Sequence, residues 1–288
     1  MRDLNYQLKQ MCRRNRDGGY GTQKRRREVL MLIANQLHEA GFRHMGVHSL
    51  KPKHVEALVG QWLSEGLSAG TMKNRLVAIR WWAKKVNRAS VVAQSNEFYG
   101  IPDRKYVTNV SRATTLGAKE LFRIPDPRVR MSLCLQRAFG LRREEAIKFM
   151  PRYADRGDQI VLKGSWTKGG KERRIPVITR EQRRVLDEAR RLAGGGSLIP
   201  SAKNYKKHLR VYESQVARAG LSRMHGLRHA YAHWRYEMLA GWPPPAAGGP
   251  GHGELTPWQK EKDREVRQVI SRELGHERPQ IVSVYCGR

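Results

Sequence analysis

The chain is short of acid, of cysteine and of long apolar runs, and each shortage removes a class of protein. Asp and Glu number 26 against 56 Lys and Arg, which leaves a formal net charge of +30 and a pI near 10.8. An excess of that size points to a polyanionic partner, of which phosphate backbones are the commonest. The three cysteines, Cys12, Cys134 and Cys286, are odd in number and far apart, with no CxxC pair. That excludes a disulfide framework and a cysteine zinc site. No HExxH is present; His229 and His233 stand four apart but have no carboxylate or cysteine at ligand spacing, so no metal is expected. Apolar runs are only a few residues long and the mean hydropathy is −0.68, so no segment is expected to span a bilayer. The start, MRDLNYQLKQMCRRNRD, lacks the apolar stretch of a secretory signal. No GxxxxGK[ST] loop is present either, which agrees with a chemistry that needs no ATP, and no cofactor is expected. These absences together predict a cytoplasmic, nucleoid-associated protein without membrane contact.

At 288 residues the chain is long enough for one or two domains, each with its own core. Residues 1–27 are polar and basic, ending in Lys24-Arg25-Arg26-Arg27; they read either as a solvated start or as an arm that touches DNA. From Glu28 the apolar residues Val29, Leu30, Leu32, Ile33 and Leu37 recur at helical steps until Gly41. A second helix carries Val55, Leu58, Val59 and Trp62-Leu63, and a third begins after Ser68 and runs through Trp81-Trp82. The two tryptophans are better suited to a core than to base stacking. On the third helix Lys73, Arg75, Arg80, Lys84 and Lys85 have almost no acid nearby in sequence, which makes them candidates for phosphate contacts rather than salt bridges. The pattern fades between Asn87 and Arg112, and 101–113 is the expected interdomain linker. The expected division is therefore a basic arm (1–27), a helical unit with cations suited to DNA (28–100), the linker, and a second globular unit (114–288).

Four fragments in the second half carry chemistry. Gly140-Leu141-Arg142-Arg143-Glu144-Glu145 places an arginine just after a turn that can aim it, with Arg143 facing elsewhere. Gln159–Lys163 reads as a strand, and Thr167-Lys168-Gly169-Gly170-Lys171 between β-compatible runs reads as the tip of a hairpin. In His225-Gly226-Leu227-Arg228 the histidine and arginine are three apart, so a helix would turn both to one face. Leu274-Gly275-His276 precedes Tyr285 by nine residues. Two arginines, two histidines and a tyrosine are the parts needed to attack a phosphodiester with a phenol. A phenol, with a pKa near ~10, needs cations or a base to act as a nucleophile at neutral pH. Guanidiniums can fork onto the non-bridging oxygens where charge gathers, and histidines can move protons. Cys286 has no neighbour that would activate a thiolate and is read as incidental.

In that order, R…K…HxxR…LGH…Y, the fragments resemble the tyrosine recombinases of the phage-integrase family. The stretch "GLSAGTMKNRLVAIRWW" is similar to the family's core-binding domain. The resemblance implies a mainly α fold with a small antiparallel β-sheet, built as a helical core-binding domain plus an α/β catalytic domain. It implies Arg142, Lys168, His225, Arg228, His276 and Tyr285 as the catalytic set, with Tyr285 the nucleophile and Lys168 protonating the leaving 5′ oxygen. Lys171 is the alternative for that proton, Glu145 holds the site together, and His229 is structural. The activity implied is site-specific strand cleavage and rejoining through a 3′-phosphotyrosine, for integration or excision of a mobile element. Its partners would be double-stranded DNA, four protomers in a synapse, and accessory DNA-bending proteins. A type IB topoisomerase-like relaxing enzyme, or a DNA-binding protein on a degenerate recombinase fold, is the alternative.

Two departures from the family pattern stand out. His225 and His276 are 51 residues apart, wider than usual, and residues 240–263 hold the excess as a Pro/Gly-rich insertion, expected to be flexible or polyproline-like over Gly241–Gly253 and to be followed by a charged helix. Only Cys286-Gly287-Arg288 follow Tyr285, where many relatives carry a helix that docks on a neighbouring protomer.

Overall fold

Leu4 and Leu8 stand one helical turn apart, and in the computed structural model, which describes residues 3–288, both are buried. They lie on α1 (Asp3–Arg14), followed by α2 (Tyr20–Glu39), α3 (Pro52–Ser64) and α4 (Ala69–Lys85). The four share a core built on Leu8, Leu30, Ile33, Leu37, Trp62 and Trp82. Gln7 on α1 accepts a hydrogen bond from the Val47 amide at 2.6 Å. The expected basic arm is thus corrected over Asp3–Arg14, while residues 1 and 2 lie outside the described residues. The stripe Leu4, Leu8, Met11 follows helical spacing, and the surrounding cations hide it in the composition. Residues beyond it are held as well: the Trp81 indole donates to Asp17 at 2.8 Å, and Arg26 lies 4.4 Å over the same ring. Trp82 is fully buried, donating to the Val47 carbonyl at 2.7 Å, as a core tryptophan should. Ser68 caps α4 by accepting from the Thr71 amide.

The chain divides into two compact units between Lys105 and Tyr106. The expected linker is claimed from both ends: Arg104 donates to Asn74 on α4 at 2.8 Å, while Asn109 donates to the Arg288 carbonyl at 3.0 Å.

The second unit contains α5 (Ala118–Phe122), α6 (Pro127–Phe139), α7 (Arg143–Ile147) and α8 (Pro151–Ala154). A two-stranded antiparallel sheet follows, β1 (Gln159–Leu162) with β2 (Arg173–Pro176), paired from Gln159 with Pro176 to Leu162 with Arg173. Then come α9 (Arg180–Ala193), α10 (Tyr205–Arg218), α11 (Gly226–Ala240), α12 (Pro257–Leu274) and the short α13 (Ser283–Cys286). α6 and α11 cross at the centre, and Leu135, Phe139, Ile160, Ile175, Leu186, Ile270 and Leu274 fill the core around them. Gly140 ends α6 in the left-handed conformation, φ 59°. A side chain there would strike Tyr231 on α11, since an added Cβ would sit 2.6 Å from its ring.

The insertion departs from its expected flexibility. The charged helix expected after it is present, since from Pro257 its last residues are the first turns of α12. The rest folds as a strap: Ala246 and Leu255 are buried, and the Ala247 and Gly249 amides both turn back to the Pro244 carbonyl, at 2.8 and 3.1 Å. Gly249 passes so close to Pro243 that a Cβ would fall 1.7 Å from its carbonyl oxygen. Prolines fix φ and glycines permit close approach, so the same composition that suits a flexible loop also suits a tight one. The strap packs against the segment carrying Tyr285: a Cβ on Gly287 would lie 2.7 Å from the Ala246 nitrogen.

Among the described residues no helix is long and apolar enough to cross a membrane, and no group of three or more His, Cys, Asp or Glu is arranged to hold a metal ion.

Candidate active site

Arg228 is the hub. It lies on the third residue of α11, with His225 at the N-cap, so both project from the first turn as the three-residue spacing predicts. Its side chain is fully buried, and its donors are spent on three different segments. Nη1 donates to the Gly140 carbonyl at 2.6 Å, Nη2 donates to the Leu274 carbonyl, and Nε donates to Tyr285 Oη at 3.3 Å. One guanidinium therefore ties the end of α6, the end of α12 and α13 together. Burial pulls its pKa down to about 10, still charged at neutral pH.

Tyr285 is itself buried. Besides Arg228, its hydroxyl meets His276 Nε2 at 3.3 Å. His276 follows Gly275, which ends α12 at φ 65° and turns the imidazole back toward the tyrosine. Burial, then the charges of Arg228, Arg142 and Arg173, hold the His276 pKa at about 4, so the ring is neutral at pH 7. Arg228 Nη2 also lies 3.5 Å from His276 Nε2. Because arginine only donates, a consistent network leaves Nε2 as acceptor and lets the phenol donate to it, an assignment that follows from the partners rather than from visible hydrogens. Nε2 is thus poised to take the phenolic proton.

The backbone behind the nucleophile is fixed from α11. His233 Nε2 bonds the Tyr285 carbonyl at 2.7 Å, and the His229 ring lies 4.6 Å from that of Tyr285. His229 is buried, and its pKa falls to about 4 through burial and then the charges of its histidine neighbours. Cys286 is buried and its thiol pKa is pushed up to about 12 by that burial, which leaves it inert.

Arg142 caps α7, and Glu145 folds back to receive both its amide at 2.7 Å and its Nη1 at 2.9 Å. Arg143 points away, to Glu213 at 2.9 Å. Glu145 is fully buried. Burial alone would raise its pKa, but Arg173, Arg228 and Arg142 outweigh it and bring it below the usual carboxylate value. Arg142, Lys168, Arg173, Arg272, His276 and Arg278 line one open cleft of about 770 Å³. Lys168 is exposed near the tip of the hairpin, on a loop of ten residues, 163–172, longer than the turn its two glycines suggest. Lys171, the alternative, is ion-paired with Glu277. The six expected residues thus fall into two groups. Arg142, Lys168 and His276 face the cleft. Arg228 and Tyr285 sit behind it, and the exposed His225 has its ring 6.1 Å from that of Tyr285.

Sequence reading misses Arg173. It is almost fully buried, donating to Glu145 at 2.6 Å and to the Leu274 carbonyl at 2.9 Å. The signal was the period-two alternation of β2, in which Arg173 shares the inner face with Ile175 while Arg174 is exposed.

The α4 cations are more engaged than their sequence neighbourhood implies. Lys73 pairs with Asp103 at 2.6 Å and Lys85 with Asp17 at 2.9 Å. Arg80 donates to the Ala93 carbonyl and to Asn96, and Arg75 lies 5.1 Å over the Trp62 ring. The acids lie in other segments, so the expectation of cations without salt-bridge partners is corrected for Lys73 and Lys85. Lys84 is exposed and makes no ion pair among the described residues.

Two family models match the chain: phage integrase, N-terminal, over residues 1–92, and integrase over residues 105–234. No curated protein matches it by sequence. Among solved structures, the Tn1549 transposon integrase (aa 82-397) in complex with circular intermediate DNA is similar with TM-score 0.56 and 14% identity, over 100% of this chain and 96% of that one. XerH site-specific recombinase bound to difH substrate gives TM-score 0.57 and 18% identity, over 98% and 80%. A lambda integrase tetramer bound to a Holliday junction gives TM-score 0.60 and 16% identity, over 98% and 75%. At these identities the likeness speaks to the fold: mainly helical units with one small antiparallel sheet.

Proposed function

The chain belongs to the phage-integrase family of tyrosine recombinases, and from that premise we propose that it is a site-specific DNA recombinase acting through a covalent 3′-phosphotyrosine on Tyr285, for integration or excision of a mobile element. The observation that carries the reading is the setting of Tyr285 Oη, 3.3 Å from both Arg228 Nε and neutral His276 Nε2. A cation and a proton acceptor on one phenol are what make it a nucleophile.

In this reading the phenol loses its proton to His276 as Oη bonds to phosphorus, and the bond to the 5′ oxygen breaks. Lys168 gives that oxygen a proton, which leaves a free 5′ hydroxyl and a 3′-phosphotyrosine. Arg142 and the Arg228 donors not used by Gly140, Leu274 and Tyr285 stabilise charge on the non-bridging oxygens, and His225 adds a hydrogen bond. Rejoining reverses the steps with a 5′ hydroxyl from the partner strand. One phosphodiester is exchanged for another, so the chemistry needs no energy from a nucleotide. The two tyrosines of α11 are poor rivals: Tyr231 donates to Glu273 and Tyr236 is hydrogen-bonded to Asp263, both buried.

The neighbours bound to difH substrate and to a Holliday junction support duplex DNA as the partner and four protomers as the working assembly. A chain at +30 repels its copies until phosphates neutralise it, so the free protein should be monomeric; a stable oligomer by light scattering without DNA at moderate salt would contradict this. For the chemistry, a nicked suicide substrate should trap the wild-type chain covalently. Tyr285→Phe should form no adduct while its DNA affinity stays within a few-fold, since lysines and arginines supply that affinity. An adduct that persists in Tyr285→Phe would move the nucleophile elsewhere.

A further inference from the structure

Lys168 sits on a loop held at its start by Trp166, which is buried against Phe149 and Tyr153, and closed by Thr167 Oγ1, which donates to the Lys171 carbonyl at 2.6 Å. The sheet beneath it has two strands of four residues, and Arg173 with Leu162 is the last pair before the loop opens. A two-stranded ribbon of that length is marginal by itself; Ile160, Leu162 and Ile175 set it in the core, and the tip beyond Trp166 needs contacts from across the cleft to hold it there. Two contacts reach across to the turn after α12. One is the ion pair of Lys171 with Glu277, whose side chains are 74% and 72% exposed; a pair so solvated contributes little. The other is Arg173, only 4% exposed.

Arg173 bonds two parts of the site at once. Nη2 donates at 2.6 Å to the Glu145 carboxylate, which also holds Arg142. Nη1 donates at 2.9 Å to the Leu274 carbonyl, which also receives Arg228. Its stem runs beneath Gly275, where a Cβ would come within 2.8 Å of Arg173 Cδ, so the turn bearing His276 rests directly on it. A lysine presents its donors from a single nitrogen and lacks the two separated, fixed directions with which the planar fork meets both partners.

We propose that Arg173 is a positioning residue that anchors the hairpin of Lys168 to the two turns holding Arg142 and His276, and so sets where the leaving oxygen receives its proton. The inference rests on the reading of Lys168 as the proton donor. General acids contribute about 100- to 10,000-fold, and small displacements from reacting geometry cost on the order of 100-fold. A loosened hairpin should therefore cost rate only where the proton matters.

The test compares adduct formation on two DNA substrates, one with the ordinary 5′ oxygen at the scissile phosphate and one with bridging sulfur, which leaves as a thiolate without a proton. Lys168→Ala should be slow on oxygen and recover on sulfur, while Arg142→Ala should be slow on both. Arg173→Lys, which keeps a cation beside Glu145, should lose roughly 10-fold or more on oxygen and recover most of that loss on sulfur. Equal losses on the two substrates, or no loss at all, would overturn the inference. Failure of sulfur to rescue Lys168→Ala would instead sink the reading of Lys168 and take the inference with it. Should Arg173→Lys bind DNA poorly or melt early, two glycines inserted after Gly170 give an independent arm. That change leaves Arg173 and its partners in place but slackens the tether. An oxygen-specific loss supports the anchor, and an unchanged rate on oxygen overturns it.

Discussion

The cations of α4 and those of the catalytic unit differ in how they are held. On α4, Lys84 is exposed, Lys73 and Lys85 pair with single acids, and only Arg80 is bound to backbone, through the Ala93 carbonyl. In the catalytic unit Arg228 and Arg173 are buried, and each is fixed by backbone carbonyls or by a carboxylate that is itself buried. Surface pairs exchange readily with phosphates at little cost. Buried guanidiniums cannot rearrange without stranding their partners, and that rigidity is what stabilisation of developing charge requires. The first arrangement suits binding and the second suits catalysis.

Removing one cation from each group breaks the comparison most directly. Arg142→Ala and Arg228→Ala should each slow cleavage by about 100-fold or more, the scale of losing one transition-state donor. They should part company in stability. Arg142 is partly exposed and shares Glu145 with Arg173, so its loss should be tolerated. Arg228→Ala strands the Gly140 carbonyl and leaves the Leu274 carbonyl and Tyr285 short of a donor, so its melting temperature should fall clearly. Equal melting curves would mean that the hub is not a structural tie.

Much of this site was legible in the chain because the chemistry restricts residue types. A phenol nucleophile needs cations, a base and an acid, and Arg142, Arg228, His276 and Tyr285 stand in order with telling spacings. The Gly140 turn was visible too, since a left-handed residue at a helix end favours glycine, whereas Gly275 stood in the sequence only as part of the segment before His276. What stayed hidden depends on contacts between distant segments. Arg173 reads as one more basic residue until the strand register turns it inward. Asp17 and Asp103 are 68 and 30 residues from the lysines they pair with, Lys85 and Lys73. The strap over 241–256 has the composition of a linker, and only its packing on Ala246 and Gly287 shows that it is not one.

The strap lets the rigid side of the comparison be loosened without touching a reacting group. Deleting Pro243–Gly253 should slow cleavage by roughly 10-fold, as expected for a displaced nucleophile, while DNA affinity stays within a few-fold. The milder Gly249→Ala, which drives a methyl toward the Pro243 carbonyl, should shift cleavage in the same direction by less. If cleavage and binding are both unchanged after deletion, the strap is a spacer and α13 is held by α11 and by Arg267 of α12, which donates to the Gly287 carbonyl.

The smallest expected effect sharpens the adaptable side. Each phosphate that the protein no longer neutralises lowers the slope of log affinity against log salt by about 0.9. Lys84→Glu should remove close to one such unit and leave the melting temperature unchanged, because Lys84 makes no ion pair among the described residues and is exposed. Lys73→Glu should do less than that at the same helix, since Lys73 is already partly neutralised by Asp103. Arg80→Glu should behave differently, lowering stability first, because its guanidinium holds the Ala93 carbonyl and Asn96 that follow α4. Salt titrations of the three variants, read beside their melting curves, separate the two roles. A shallower slope in Lys84→Glu, with little change in the other two, would place this face of α4 on DNA through Lys84; unchanged slopes in all three would take it off DNA.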